Sequence, residues 1–373
     1  KTSEYLHARQ MDESYVTKRD FLIMFLRATS FDPSAAASLV ASFFQAKAEL
    51  FGMDKLARDI EYGDLDEDDI RCLESGYAQI LSGRDRAGRT IFFVMPMIRK
   101  YRTVQNRLRA SYMVLMHALR DEETQRTGMV GIAYNVGAQY TSDREAVWKM
   151  AKLVGSLPTN FRGMHYCYDN ERVKFLFNLA MFVWERQTRI RCRTHNGSDM
   201  ECVYDLMTFG IPADVLPVLP SGDYRLEAHQ DYCKRLRKWS EKSRDGVKRV
   251  ILPNSLDVLL GRGKPLQRHP GNIRYHHIVD SFHGQYEKAQ KLEKTTLSKL
   301  IVEKIKNTGG RFMKQDEIGW VEIDDEAARY KVSHTFRNHR IAERKKNGKA
   351  AENRRKMEDD TDLSMMSEQF MPG

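Results

Sequence analysis

Leu22, Phe25 and Leu26 close one apolar helical run, and Ser30-Phe31-Asp32-Pro33 then reads as a break, an N-cap and a proline at the first helical position. The helix starting there carries Ala36, Leu39, Val40 and Phe43 at i, i+3, i+4 and i+7, which commits one face to a core. Acidic Asp64 to Asp69 opens another helix, and Gly83 to Arg89 is a turn into the β-rich run Thr90 to Val94. A long helix is expected from about Thr103 to Asp121. Uncharged Met129 to Val136 has the pattern of a strand buried on both faces. Ser142 and Glu145 form an S-x-x-E capping box for a helix whose expected apolar face is Val147, Met150, Ala151 and Val154. Met164 to Tyr168 is the next strand, and Val173 to Trp184 is apolar almost all the way round. Thr188 to Arg193 alternates, so a strand there would turn Ile190 and Cys192 inward and the arginines outward. Strands alternating with helices predict an α/β unit.

Ser240 to Asn254 is basic and polar, with no large apolar residue before Val250, and reads as a linker. A second module begins near Asp257. Its expected elements are a strand at Val258 to Leu260, a Gly/Pro loop, a helix from Asn272, and a helix carrying Leu297, Leu300, Ile301 and Ile305 that stops at Gly309-Gly310. A hairpin (Arg311 to Lys314, Trp320 to Ile323) and a last helix with Ala328, Val332 and Phe336 follow. That order predicts a small α+β domain, with a winged-helix-like arrangement as one outcome. Beyond Lys349 the chain is charged and poor in apolar residues, which predicts disorder.

Composition narrows the function classes. The 373 residues are 41% hydrophobic, enough for two or three domains with sizeable cores. The densest apolar stretch, Phe175 to Trp184, is 10 residues long, against about 20 for a membrane span, so any membrane contact is expected to be peripheral. Cys72, Cys167, Cys192, Cys202 and Cys233 are odd in number and never form C-x-x-C, which argues against a disulfide framework or a zinc ribbon and for a reducing, cytoplasmic setting. No basic-then-apolar leader is seen, and because the chain begins at Lys1 a removed or missing N-terminus stays open. The net charge of +10 is uneven: 34 basic against 31 acidic residues up to 240, but 27 against 20 beyond it. The last third is therefore the part expected to meet a polyanion.

Phe25-Leu26-Arg27-Ala28 with Phe31-Asp32, the Asp85 to Arg89 turn, the strand within Gly128 to Gly137, and the series of strand, greasy helix and Arg189-Ile190 together resemble the CRAL-TRIO lipid-binding family over about residues 15–235. The resemblance implies a helical part at 1–85 and a mixed-sheet core at 86–238, followed by a linker at 239–255, the α+β domain at 256–345 and a charged tail at 346–373. It further implies an apolar pocket on the sheet, closed by a gate helix at Val173 to Trp184. A hydrophobic lipid would there meet Ile132, Tyr134, Tyr166, Tyr168, Phe175, Phe177, Met181, Phe182 and Trp184. As a bland alternative, the aromatic and methionine residues of the helix are ordinary core. Arg27 and Arg189 match the family's two basic head-group positions, while Thr159 in Leu157-Pro158-Thr159-Asn160 replaces the glutamate of the inositol-binding branch. A salt bridge to an acidic neighbour is an equal expectation for Arg27. Ile211 to Pro217 departs from the family's LP-x-x-x-GG ending.

Asp257 to Pro265, His269-Pro270-Gly271-Asn272, Gly309-Gly310-Arg311-Phe312, Trp320 and Lys331 to His334 resemble an uncharacterised domain common in algal proteins, over about residues 256–340. Gly261-Arg262-Gly263-Lys264 could nest a phosphate or simply turn tightly, and it lacks the spacing of a nucleotide-hydrolysing loop. Ser333, Arg337, Arg340 and Arg344 share one helical face, either a nucleic-acid or acidic-protein surface or a solvated charged face. Six of eleven histidines lie in this module without metal-ligand spacing, so no metal is expected. Arg344-Lys345-Lys346 and Arg354-Arg355-Lys356 fit a nuclear address or a frayed helix end equally well.

No nucleophile elbow, dinucleotide fingerprint or acid/base pair is marked by spacing, so the chain is expected not to be an enzyme and to need no cofactor beyond its lipid. The leading expectation is a monomeric, peripheral-membrane protein of the cytoplasm that binds, and moves between membranes, a hydrophobic lipid under a gate. The competing expectation is a nucleic-acid-binding regulator with the lipid module as its sensor. A scaffold whose terminal module binds another protein is the third.

Overall fold

The computed structural model describes residues 2–96, 98, 100, 102–137, 144–170, 172–173, 186–242, 247, 249–250 and 252–341. It is a mixed α/β chain with two mixed sheets that clusters into two compact units: Lys1–Asn254 with Gln315–Val321, and Ser255–Lys314 with Glu322–Gly373.

The first unit opens with α1 (Ser3–Met11), α2 (Glu13–Val16), α3 (Arg19–Ala28), α4 (Pro33–Phe51) and α5 (Glu67–Glu74). The start of α4 is the one expected: Asp32 Oδ1 accepts the N–H groups of Ser34 (2.9 Å) and Ala35 (3.1 Å), with Pro33 next. Between α3 and α4, Ser30 (φ +55°) and Phe31 (φ +66°) hold left-handed conformations that β-carbon-bearing residues seldom adopt. Helices α3 and α4 share a ring cluster, Phe21, Phe25, Phe43 and Phe44, with centroids 5.0–5.9 Å apart.

The sheet follows: β1 (Ala78–Arg84), β2 (Thr90–Val94), α6 (Val104–Ala118), α7 (Glu122–Thr127), β3 (Met129–Asn135), α8 (Arg144–Ser156), β4 (Phe161–Tyr168), α9 (Arg186–Arg191), β5 (Cys192–Asn196), α10 (Asp199–Thr208) and α11 (Glu227–Lys242). Strand order is β1-β2-β3-β4-β5, antiparallel between β1 and β2 and parallel thereafter. The β1–β2 hairpin turns on Asp85, whose Oδ1 accepts from Ala87 N (3.0 Å) and Arg89 N (2.8 Å) while Arg89 Nε donates to Oδ2 (2.7 Å). Strand β1 was not foreseen, and the expected 85/86 boundary cuts through its hairpin. Strands β2 and β3 are buried on both faces, as Met129 to Val136 predicted.

One face of this sheet carries Ile80, Phe92 and Met129 under α4, α6, α8 and α11; the other carries Ile91, Phe93, Val130 and Ile132 under Cys202, Val203 and Leu206 of α10. They are called here the helical face and the α10 face. Two expectations need correction. Helix α8 buries Ala146 and Leu153 and leaves Val147 exposed. Met150 and Val154 of the expected face do pack against the core, together with Ala146 and Leu153, while Val147 and Ala151 are exposed. Residues 188–191 are helical, so the strand begins only at Cys192, and Ile190 points out.

In the second unit, β7 (Val258–Leu260) pairs in parallel with β8 (Phe312–Gln315), beside α12 (Lys264–Gln267), α13 (Pro270–Lys288), α14 (Lys291–Asn307) and a helix over 325–341, α15. The chain also forms β6 (Arg249–Val250) and β9 (Trp320–Glu322), which pair antiparallel. Ala328, Val332 and Phe336 face the core as expected, whereas Leu300 is exposed.

Lys47 tests the packing of the first unit. It is fully buried in α4, donates to the carbonyls of Leu56 (3.0 Å) and Arg58, and lies over the Tyr15 and Phe43 rings. Burial pushes its pKa from 10.5 down to about 7. Between about pH 7 and pH 10 the unfolded chain holds a proton that the folded chain has released, so stability rises with pH through this group. The slope is at most about 1.4 kcal/mol per pH unit. Urea unfolding across that range should show this rise in the native chain, and the Lys47→Met variant should lack it.

Candidate functional site

Cross-strand partners share a face, so register decides which predicted pocket residues can meet. On the helical face one row runs Ile80, Phe92, Gly131, Met164, Cys192, and the next runs Ala78, Val94, Ala133, Tyr166, Thr194. Asn135, Tyr168 and Asn196 complete a third. The central strand thus offers only Gly131 and Ala133 here, and larger neighbours lean into the space. A β-carbon at Gly131 would lie 2.4 Å from Met164 Sδ and 3.3 Å from Phe161 Cε1. Met164, Tyr166 and Ala133 remain half-buried, while Tyr168 is buried.

Ile132 and Tyr134 are on the other face, which corrects the expected pocket lining. Both belong to the filled core under α10; the Tyr134 ring stacks on Phe93 at 5.6 Å and its hydroxyl donates to Asp199 Oδ1 at 2.6 Å. Period-two alternation makes the pair 132/134 and the pair 166/168 mutually exclusive, because Ile132 lies beside His165 and Tyr134 beside Cys167. Phe175, Phe177, Met181, Phe182 and Trp184 lie outside the described residues, as do Ser142 of the expected capping box and the expected tail.

The two expected head-group arginines are separated by their bonding. Arg27 donates to Gln125 Oε1 (2.5 Å) and Glu122 Oε1 (2.7 Å) of α7, so the salt-bridge alternative holds for it. Arg189 is exposed on α9. Its neighbours Arg191 and Arg193 donate to backbone oxygens, Phe161 O at 3.4 Å and Ile190 O at 2.9 Å respectively. Residues 186–197 contain four arginines and no carboxylate, and Ile190, in their midst, is 62% exposed.

Sequence reasoning missed a buried histidine pair on the α10 face. His165 Nδ1 and His195 Nε2 are 2.9 Å apart with stacked rings, His195 Nδ1 is 3.3 Å from Asp205 Oδ2, and Phe209 sits edge-on to both rings. Burial, aided by His195, pushes His165 down to about 4; burial also lowers His195 against the opposite pull of Asp205. Strand alternation at 165/167 and 193/195 was the available signal. Among the described residues no three His, Cys, Asp or Glu side chains could hold a metal, and no helix is long and apolar enough to cross a membrane. A cavity of about 80 Å³ beside Met24, Met116, His117 and Trp239 has room for a few waters and none for an acyl chain.

In the second unit the motif residues tie β7, β8 and α13 together. The Asp257 carboxylate, fully buried, accepts from Arg311 N (3.0 Å), Nε (3.0 Å) and Nη2 (2.7 Å). Asn272 bonds both Leu259 N (2.7 Å) and Leu259 O (3.0 Å). A β-carbon at Gly271 would lie 2.0 Å from Asp257 O. Gly261 (φ +150°) and Gly263 (φ +116°) fit the tight-turn alternative. On the expected basic face Arg337 is exposed, Ser333 meets Ser298 at 3.2 Å, Arg340 Nε lies 3.0 Å from Glu287 Oε1, and Arg344 is outside the described residues.

Comparison with protein families matches residues 257–338 to a family described as a domain of unknown function, DUF6824. The matched segment starts at Asp257 and includes Gly271, Asn272 and Arg311, and apart from Gln315–Val321 it lies in the second unit.

Two outcomes follow. Between about pH 6.5 and pH 4 the unfolded chain protonates a His165 ring that the folded chain keeps neutral, so stability should fall as pH drops through that window. His165→Asn, which keeps a hydrogen-bonding group beside His195, should shallow the acid limb of a pH–stability profile. Asp257→Ala should cost about 3 kcal/mol by removing the buried carboxylate that accepts from Arg311 N, Nε and Nη2. Hydrogen exchange over residues 257–341 would report that loss.

Proposed function

We propose that the first unit is a CRAL-TRIO-like module that binds a hydrophobic lipid on the helical face of its sheet and exchanges it at an anionic membrane surface. The carboxylate-free arginine cluster around outward Ile190 carries this reading. Exposed apolar and cationic groups side by side suit an interface of acyl chains and negative head groups, and each arginine near such a surface contributes about 1 kcal/mol.

Further support comes from Ala133, Met164 and Tyr166, which stay half-buried on the helical face, while Met164 and Phe161 fill the space at Gly131. The connections from β2 to β3 and from β3 to β4 run through α6 and α8 on that face. Arg27 is committed to Glu122, so the proposed ligand is held by burial and by uncharged groups such as the Tyr166 phenol. The role is binding, not catalysis. The nucleic-acid alternative gains no specific observation, since Arg340 faces Glu287.

Native mass spectrometry of the purified full chain should show one bound lipid, lost in Ala133→Phe and retained in Ile132→Val on the opposite face. Replacing Arg189, Arg191 and Arg193 by glutamate should weaken co-sedimentation with phosphatidylserine vesicles by about a hundredfold. A lipid-free protein that also leaves vesicle lipid unextracted would overturn the reading.

A further inference from the structure

Helix α10 presents two apolar faces. Cys202, Val203 and Leu206 point into the sheet core, yet Met200, Tyr204 and Met207, at i, i+4 and i+7, point away from it and are 52%, 57% and 45% exposed. Phe209, directly after the helix, is 42% exposed. A stripe of this spacing on a helix whose other side is already seated is what a docking face requires. Two methionines make it adaptable to an incoming apolar side chain.

Its rim selects the partner. Glu201 and Asp205 are exposed one position round the helix from Met200 and Tyr204. The whole stretch 194–224 holds five carboxylates and no lysine or arginine, in a chain of net charge +10. Like charges on these rims would face each other across a two-fold axis, which disfavours a second copy of this chain. They would also repel an anionic bilayer. The chain's own basic stretch 342–356 contains no apolar residue larger than alanine and could not fill the stripe.

We infer that the outer face of α10 docks a basic amphipathic helix of another protein, its apolar side on Met200, Tyr204, Met207 and Phe209 and its lysines or arginines against Glu201 and Asp205. This surface is independent of the lipid reading, because α10 covers the sheet face opposite Gly131 and Ala133.

The test uses the full chain and a fluorescein-labelled synthetic helix of about 18 residues with leucine on one side and lysine on the other. Its control carries glutamate in place of lysine. Anisotropy should show binding of the leucine/lysine peptide alone, weakening as salt rises from about 0.05 M to about 0.5 M. The combined variant Met200→Ser, Tyr204→Ser, Met207→Ser should weaken it by at least about tenfold, whereas Ile190→Ser should leave it unchanged. These positions are exposed, and an unaltered melting temperature checks that the variant is folded. Equal affinity in the triple variant, equal binding of the glutamate peptide, or a dimer or vesicle interaction abolished by the triple variant would each overturn the inference.

Discussion

A parallel sheet must be covered on both faces, and that constraint organises the first unit. Strands β2 and β3 are buried on both faces, so the residues along them divide between two cores. The α10 face is closed by α10 itself, with Phe93, Tyr134 and Cys202 packed together. The helical face is closed by α4, α6, α8 and α11, with Met129 of β3 in the same core. One face is therefore filled under α10, while the other leaves Ala133, Met164 and Tyr166 half-buried.

Polar groups follow the same division. His165 and His195 bond each other under α10, and His195 also meets the exposed carboxylate of Asp205, which ties α10 to β4 and β5. Lys47 is satisfied by two backbone carbonyls and two rings in the helical layer. In the second unit the Asp257 and Arg311 pair, with Gly271 closely apposed, fastens two strands and a helix at one point. The motif residues of the DUF6824 match therefore read first as architecture, and a function for that unit has to be sought on its outer surface.

Much of this was legible beforehand. The cap at Asp32-Pro33, the doubly buried β3, and the inward face of α15 rest on local patterns: a side chain reaching its own backbone, or a period that only one secondary structure satisfies. Three things were not legible. Strand β1 is polar at Gln79 and Ser82 and is set by its pairing with β2. Helix α8 buries Ala146 and Leu153 beside Met150 and Val154, and leaves Val147 and Ala151 exposed. The helical state of Ile190 overrides an alternation that suits a strand equally well.

The sequence by itself determined the elements, their caps and the alternation along each strand, because those depend on neighbours a few residues apart. Only the tertiary structure decided which face each strand turned to which helix. That choice put Ile132 and Tyr134 opposite Tyr166 and Tyr168, gave Arg27 to Glu122, and left one side of α10 uncovered. Register between distant strands is set by how whole faces fill, a sum over many contacts that no local window contains.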